Sequence, residues 1–163
     1  MTPSSGPDVV AERDPLLLLI EDNRDTLVAA GRLLSTAGFR VEIARGGDEG
    51  IAKALRLRPD VIVTDLVMSP TSGYTVCQQL HDAHATRDIP LVVYTGVTDP
   101  QALGPLYALG VRLFVIKPCV PAVLGREAEA VIGTTPSAVR LVTGYGETLE
   151  DLASQITAYG RAL

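Results

Sequence analysis

Tryptophan is absent from this sequence, and aromatic residues together make up 4% of it. The core therefore has to be aliphatic, built from Leu, Val, Ile and Ala. Cysteine is nearly absent too: Cys77 and Cys119 are the only two in 163 residues. That excludes a disulfide framework as the source of stability. Reduced thiols, as in a cytoplasmic protein, are the simpler expectation, and both cysteines read as small buried hydrophobes. Long apolar runs are also missing. The longest strictly aliphatic stretch is "LLLLI" at 16–20, far short of a bilayer span. Residues 1–14 contain no apolar segment of the secretory kind; with Pro3, Gly6 and Pro7 they read as a disordered leader. Positive charge is in deficit, with 14 Lys and Arg against 19 Asp and Glu and a net charge of −5. The chain thus lacks the basic face that direct nucleic-acid binding needs, and the one that an anionic membrane surface would attract.

What is present is a rhythm. The length suits one domain with tails. "PLLLLIE" (15–21) is a continuous apolar run, the mark of a strand covered on both faces. "NRDTLVAAGRLLSTAG" (23–38) has apolar residues at near-helical spacing and ends on Gly38. "RVEIA" (40–44) alternates like a strand near a sheet edge. "GDEGIAKALRLRP" (47–59) is a helix stopped by Pro59, and "DVIVTD" (60–65) a third strand. "SGYTVCQQLHDA" (72–83), "IPLVVYT" (89–95), "DPQALGPLYALG" (99–110), "VRLFVIK" (111–117) and "VPAVLGREAEAVIG" (120–133) continue the alternation. Five strand-then-helix units predict an α/β fold with a five-stranded parallel sheet wound on both faces. Residues 134–146 read as a linker marked by Gly and Pro. The helix expected at 147–163 places Leu149, Leu152, Ile156 and Tyr159 on one face.

In such a sheet, ligands bind beyond the carboxyl ends of the strands. Strand one ends in Glu21 and Asp22, strand three in Asp65, strand four in Thr95, and strand five in Lys117 and Pro118. Strand two ends in Ala44, which offers no chemistry. Carboxylates about 5 Å apart at an effective dielectric of about 20 repel by roughly 3 kcal/mol per pair. A divalent cation relieves this, and an all-oxygen site suits Mg²⁺. A cation, a carboxylate, a hydroxyl and an ammonium together suit phosphoryl transfer, which is mostly positioning and charge neutralisation. An aspartate can take the phosphoryl group as an acyl phosphate.

At this point "LLLLIEDN", "VIVTDL", "VVYTG" and "FVIKP" resemble the receiver domain of two-component response regulators. The resemblance covers residues 15–133 and includes the intervals of 30 residues from Asp65 to Thr95 and 22 from Thr95 to Lys117. It implies a flavodoxin-like sheet of order 2-1-3-4-5. It implies that Asp65 accepts a phosphoryl group from a sensor histidine kinase or phosphotransfer protein. Glu21, Asp22, Asp65 and the Val67 backbone carbonyl would hold Mg²⁺, and Lys117 would pair with a phosphoryl oxygen. Thr95 and Phe114 would form the switch, the Lys117–Pro118 peptide would be cis, and the face of the fourth helix, fifth strand and fifth helix would signal to a downstream protein. Two departures stand out. Met68 is followed by Ser69, with Pro70 one place later than the family pattern, and Gly96 follows Thr95 where Ala is common.

Simpler roles exist for each residue alone. Asp65 could be a helix N-cap, Thr95 a β-branched strand residue, and Lys117 a solvated strand end. His81 and His84 tempt a metal reading, but no second cluster completes a ligand set. Cys119 borders the rim without any sign of a reactive thiol. Gly104 and Pro105 weaken the fourth helix, which suggests a segment that orders on activation. Two other functions compete with this one. A dehalogenase-type phosphatase needs a second acid where Val67 stands. A receiver-like binding module that is never phosphorylated is kept open by the altered Ser69-Pro70 loop. Pattern alone leaves the C-terminal helix open between a homodimer seam, a docked helix and the start of a longer protein.

Overall fold

The computed structural model describes residues 13–118, 120–134, 136–143 and 145–163; the leader reading of residues 1–14 falls almost wholly outside them, as does Cys119. The elements alternate without a break: β1 (Leu16–Ile20), α1 (Arg24–Thr36), β2 (Arg40–Ala44), α2 (Gly47–Leu57), β3 (Val61–Thr64), α3 (Gly73–Asp82), β4 (Leu91–Thr95), α4 (Pro100–Ala108), β5 (Leu113–Ile116), α5 (Pro121–Val131), β6 (Arg140–Thr143) and α6 (Glu150–Arg161). Each neighbouring pair of strands is parallel, in the order β2-β1-β3-β4-β5-β6. The chain moves outward from β1 to β2, then returns to place β3 on the other side of β1. That reversal opens a crevice above the carboxyl ends of β1 and β3.

Local sequence explains the helix starts. The Asn23 side chain accepts the Thr26 N–H at 3.0 Å, and Ser72 accepts that of Thr75 at 3.3 Å. Asp99 accepts the N–H of Gln101 at 3.0 Å. Each satisfies a donor that the first helical turn leaves orphaned.

Alternation along the strands divides the core between the two faces. Leu17, Leu19, Val61, Val63, Val92, Leu113 and Val115 meet α1 and α5. On the opposite face Leu18, Ile20 and Ile62 meet α2 and α3, while Val93, Phe114 and Leu141 meet α4 and α6. Every residue of β3 is buried, as an interior parallel strand requires.

The sheet has one strand more than the sequence pattern predicts. Arg140–Thr143, inside the stretch read as a linker, forms β6 and pairs with β5 from Leu113↔Arg140 to Ile116↔Thr143. Four residues between Gly- and Pro-marked flanks show too little periodicity to announce a strand. They pair because the edge of β5 is apolar and otherwise bare. The strand is pinned by Arg140, whose Nε and Nη2 donate to Glu127 Oε2 and Oε1 at 2.7 and 3.0 Å.

The C-terminal helix is docked. α6 lies on α4, burying Ala153 and Ile156 completely or nearly so. Gly104 is therefore not simply a weak point of α4. A Cβ there would stand 2.7 Å from Tyr159 Cβ, and one on Gly160 would stand 2.7 Å from the Gly104 carbonyl oxygen. The two glycines let the helices touch backbone to backbone. The outer side of α4 and the edge of β5, parts of the face expected from the sequence to signal, are thus covered by α6 and β6.

Candidate functional site

Backbone bonding carries the sheet ladder one residue past the strand ends. The Glu21 N–H donates to Ala44 O at 3.1 Å, Asp65 N–H to Ile20 O at 3.2 Å, and Lys117 N–H to Thr95 O at 2.8 Å. The side chains of Glu21, Asp65 and Lys117 are therefore set by the sheet and not by loose loops. All three converge. The Lys117 ammonium lies 3.2 Å from Glu21 Oε2 and 3.2 Å from Asp65 Oδ2. Glu21 and Asp65 are buried, at 3% and 7% exposure.

Asp65 is held from its other side as well. Its Oδ1 accepts the Leu66 N–H at 2.7 Å and, more weakly, the Val67 N–H at 3.4 Å. Gly73 keeps the chain close beneath: its N–H donates to Leu66 O at 2.9 Å, and a Cβ on it would collide with the Asp65 carbonyl oxygen. No other residue type fits there. Burial pushes the Glu21 carboxyl above its ordinary value; the negative charge of Asp65 adds to the rise, and Lys117 opposes it. The site thus holds two buried carboxylates on one ammonium.

Asp22 stands apart. It is exposed, and its Oδ2 accepts the Ser69 N–H at 3.4 Å. Among the described residues no three acidic, histidine or cysteine side chains gather in a metal-holding cluster. Two carboxylates meet at Lys117 and the third faces the β3–α3 loop. The donor chemistry still suits a hard cation, because every candidate ligand is oxygen and the Glu21 and Asp65 carboxyl groups share a single lysine. Val67, whose carbonyl the sequence reading named, is 69% exposed in that same loop.

Thr95 is fully buried at the end of β4, and its Oγ1 accepts the Val97 N–H at 3.2 Å. Phe114 is fully buried on the same face of the sheet. The Lys117–Pro118 peptide is cis, and so is Ser69–Pro70. His81 and His84 are both exposed near the end of α3, so the solvated reading describes them. Cys77 is buried, which pushes its thiol up to about 12. Sequence reasoning missed Tyr94, whose ring lies under the Lys117 ammonium at 4.7 Å from the centroid. The signal was available: an aromatic residue one place before Thr95 must face the opposite side of the sheet, toward the Lys117 stem.

A parallel sheet of this order, with buried acids and a lysine at the strand ends, defines a receiver fold. The chain belongs to the response regulator receiver domain family, which it matches over residues 17–129. It is 30% identical over 118 residues to the transcriptional regulatory protein AfsQ1 of Streptomyces coelicolor, covering 72% of this chain and 51% of that protein. The chain spans about half or less of the length of such curated relatives. The Vibrio cholerae chemotaxis protein CheY4 superimposes with a TM-score of 0.69 at 26% identity, covering 72% of this chain and 98% of that one. The receiver domain of the sensor histidine kinase PA1611 from Pseudomonas aeruginosa shares the fold at a TM-score of 0.67 and 24% identity, covering 74% and 98%; its structure holds a magnesium ion in the active-site cleft. Among the described residues no helix is long and apolar enough to cross a membrane.

Proposed function

We propose that this chain is a phosphoaccepting receiver in which Asp65 takes a phosphoryl group from a sensor histidine kinase or phosphotransfer protein. The observation that carries the reading is the Lys117 ammonium shared at 3.2 Å by Asp65 and Glu21. In the transfer, the N–P bond of a phosphohistidine breaks and an Asp65 O–P bond forms, while the histidine retains the electron pair. Asp65 is aimed by Lys117 and the Leu66 N–H. Thr95 can donate its hydroxyl proton to a phosphoryl oxygen. Lys117, a compact point charge, can move from carboxylate to phosphoryl oxygen within the same site.

Glu21, Asp22, Asp65 and the Val67 carbonyl are the residues that would hold Mg²⁺, with Asp22 exchanging the Ser69 N–H for the ion. The cation supplies neutralisation of the charge that develops on the phosphoryl oxygens. The chain modifies itself and turns over no external metabolite. Its output is contact with a downstream protein, and it resides in the cytoplasm. The test is incubation with Mg²⁺ and acetyl phosphate. A mass gain of one phosphoryl group in the wild type and none in Asp65→Asn is expected. A wild type left unmodified would favour the unphosphorylated binding module.

A further inference from the structure

The β6–α6 unit sits on the elements that border the acid rim, and its contacts lead back to that rim. Thr95 Oγ1 accepts the N–H of Val97 at 3.2 Å. Val97 packs against the apolar cluster formed by Leu103, Leu106, Phe114, Leu141 and Ile156. Two of those residues belong to β6 and α6. Three residues after Val97, α4 begins at Pro100, and its first turn is tied to α6 where the Gln101 side-chain amide donates to the Tyr159 hydroxyl at 3.2 Å. A second tie joins the far end, where Arg161 Nε donates to the Tyr107 hydroxyl at 3.3 Å. Between them Gly104 and Gly160 meet at backbone distance.

This packing has little slack. A glycine-to-glycine crossing fits only one separation, because the backbones already touch. The segment from Thr95 to Asp99 leads straight into α4, one of the two helices of the crossing, and Val97 packs on the apolar cluster that α4 and α6 share.

We infer that β6–α6 is a displaceable cover over α4 and the β5 edge, coupled to the acid rim through the Thr95–Val97 bond. When the Thr95 hydroxyl is drawn toward Asp65, its bond to the Val97 N–H is lost. Val97 withdraws from the cluster to which Leu141 and Ile156 belong, and α6 loosens. The coupling is reciprocal: loosening α6 frees the Thr95–Asp99 segment. The surface uncovered is an apolar parallel strand edge beside a helix with a glycine notch, suited to a protein that offers a strand followed by a small-residue helix face. The trigger rests on the phosphoacceptor reading above; the coupling does not.

The test is amide hydrogen exchange read by mass spectrometry on the full chain. Gly160→Leu drives a side chain into Tyr107 and the Gly104 carbonyl. Faster exchange by about tenfold is expected in 140–143 and 150–161, and also in 95–99, with 16–20 and 61–64 unchanged. Ile156→Ala, which only shortens a buried side chain, is read in the same way should Gly160→Leu fail to fold. Faster exchange in α6 with 95–99 unmoved would overturn the inference. A second arm treats the wild type with Mg²⁺ and acetyl phosphate and follows exchange in the fraction that has gained mass. Unchanged α6 exchange in that fraction would also overturn it. No mass gain at all would sink the phosphoacceptor reading and leave the two variants to decide the coupling.

Discussion

β2 and β5, the outermost of the five strands that alternate with α1–α5, are protected in opposite ways. At β2 the edge is guarded by charge. Arg40 is exposed, and the half-buried Lys53 donates to the Ile43 carbonyl at 2.6 Å while pairing with Glu42 at 3.5 Å and Glu49 at 3.2 Å. A lysine over an edge carbonyl deters a further strand. At β5 the strand is apolar throughout: Leu113, Phe114 and Val115 are all buried. Such an edge has to be covered, and β6 covers it with Leu141 and Val142, both fully buried. A charged edge ends a sheet. An apolar edge extends it, and in this chain the extension brings α6 onto α4.

Mutation should bring out the difference. Leu141→Ala removes a fully buried side chain from the covered edge and should cost about 2–5 kcal/mol. The matched change at the open edge, Ile43→Ala, removes a half-buried one and should cost under about 2 kcal/mol. Urea denaturation of the two variants checks the ranking, and equal losses would erase the distinction. Next in size is the clamp on β6. Arg140→Ala leaves the buried Glu127 carboxylate without its bidentate partner, a loss of about 1–3 kcal/mol. Because the arginine is half-exposed and screened, the lower end is expected, with opening localised to 140–143 in amide exchange.

The smallest effect belongs to the charged edge and is the most sensitive to pH. The Glu49 carboxyl is held below its ordinary value of 4.5, first by the Arg45 N–H and then by Lys53. A carboxyl depressed in the folded state binds fewer protons there than in the unfolded chain. Its contribution is present above pH 4.5 and is lost as pH falls through the folded value. Glu49→Gln should therefore cost at most about 1 kcal/mol at pH 7 and nothing once the Glu49 carboxyl is protonated in both the folded and the unfolded chain. Paired melts at pH 7 and in acid measure it. A gap that persisted in acid would contradict the assignment.

The same contrast separates what the sequence displayed from what it concealed. β1 and β3 declared themselves through uninterrupted β-branched and aliphatic runs, because strands buried on both faces tolerate nothing else. The acid rim was legible because Glu21, Asp65, Thr95 and Lys117 each interrupt or end such a run. β6 was hidden, since four residues carry no usable period and their strand character comes from the partner edge. The role of Gly104 was hidden for a related reason. A helix-breaking residue and a close-packing residue are the same letter, and only the neighbour, Gly160 at 56 positions' distance in sequence, tells them apart. Tyr94 and the Glu127–Arg140 pair are likewise properties of two elements meeting.

The most direct measurement is chemical trapping of the acceptor. Reduction of the acetyl-phosphate-treated protein with borohydride converts an aspartyl phosphate to homoserine, which peptide sequencing by mass spectrometry locates. Homoserine at position 65, and at no other aspartate, is the expected result. Homoserine at Asp22 or elsewhere, or a phosphoryl group that survives reduction, would contradict the assignment of Asp65 as the residue that receives phosphorus.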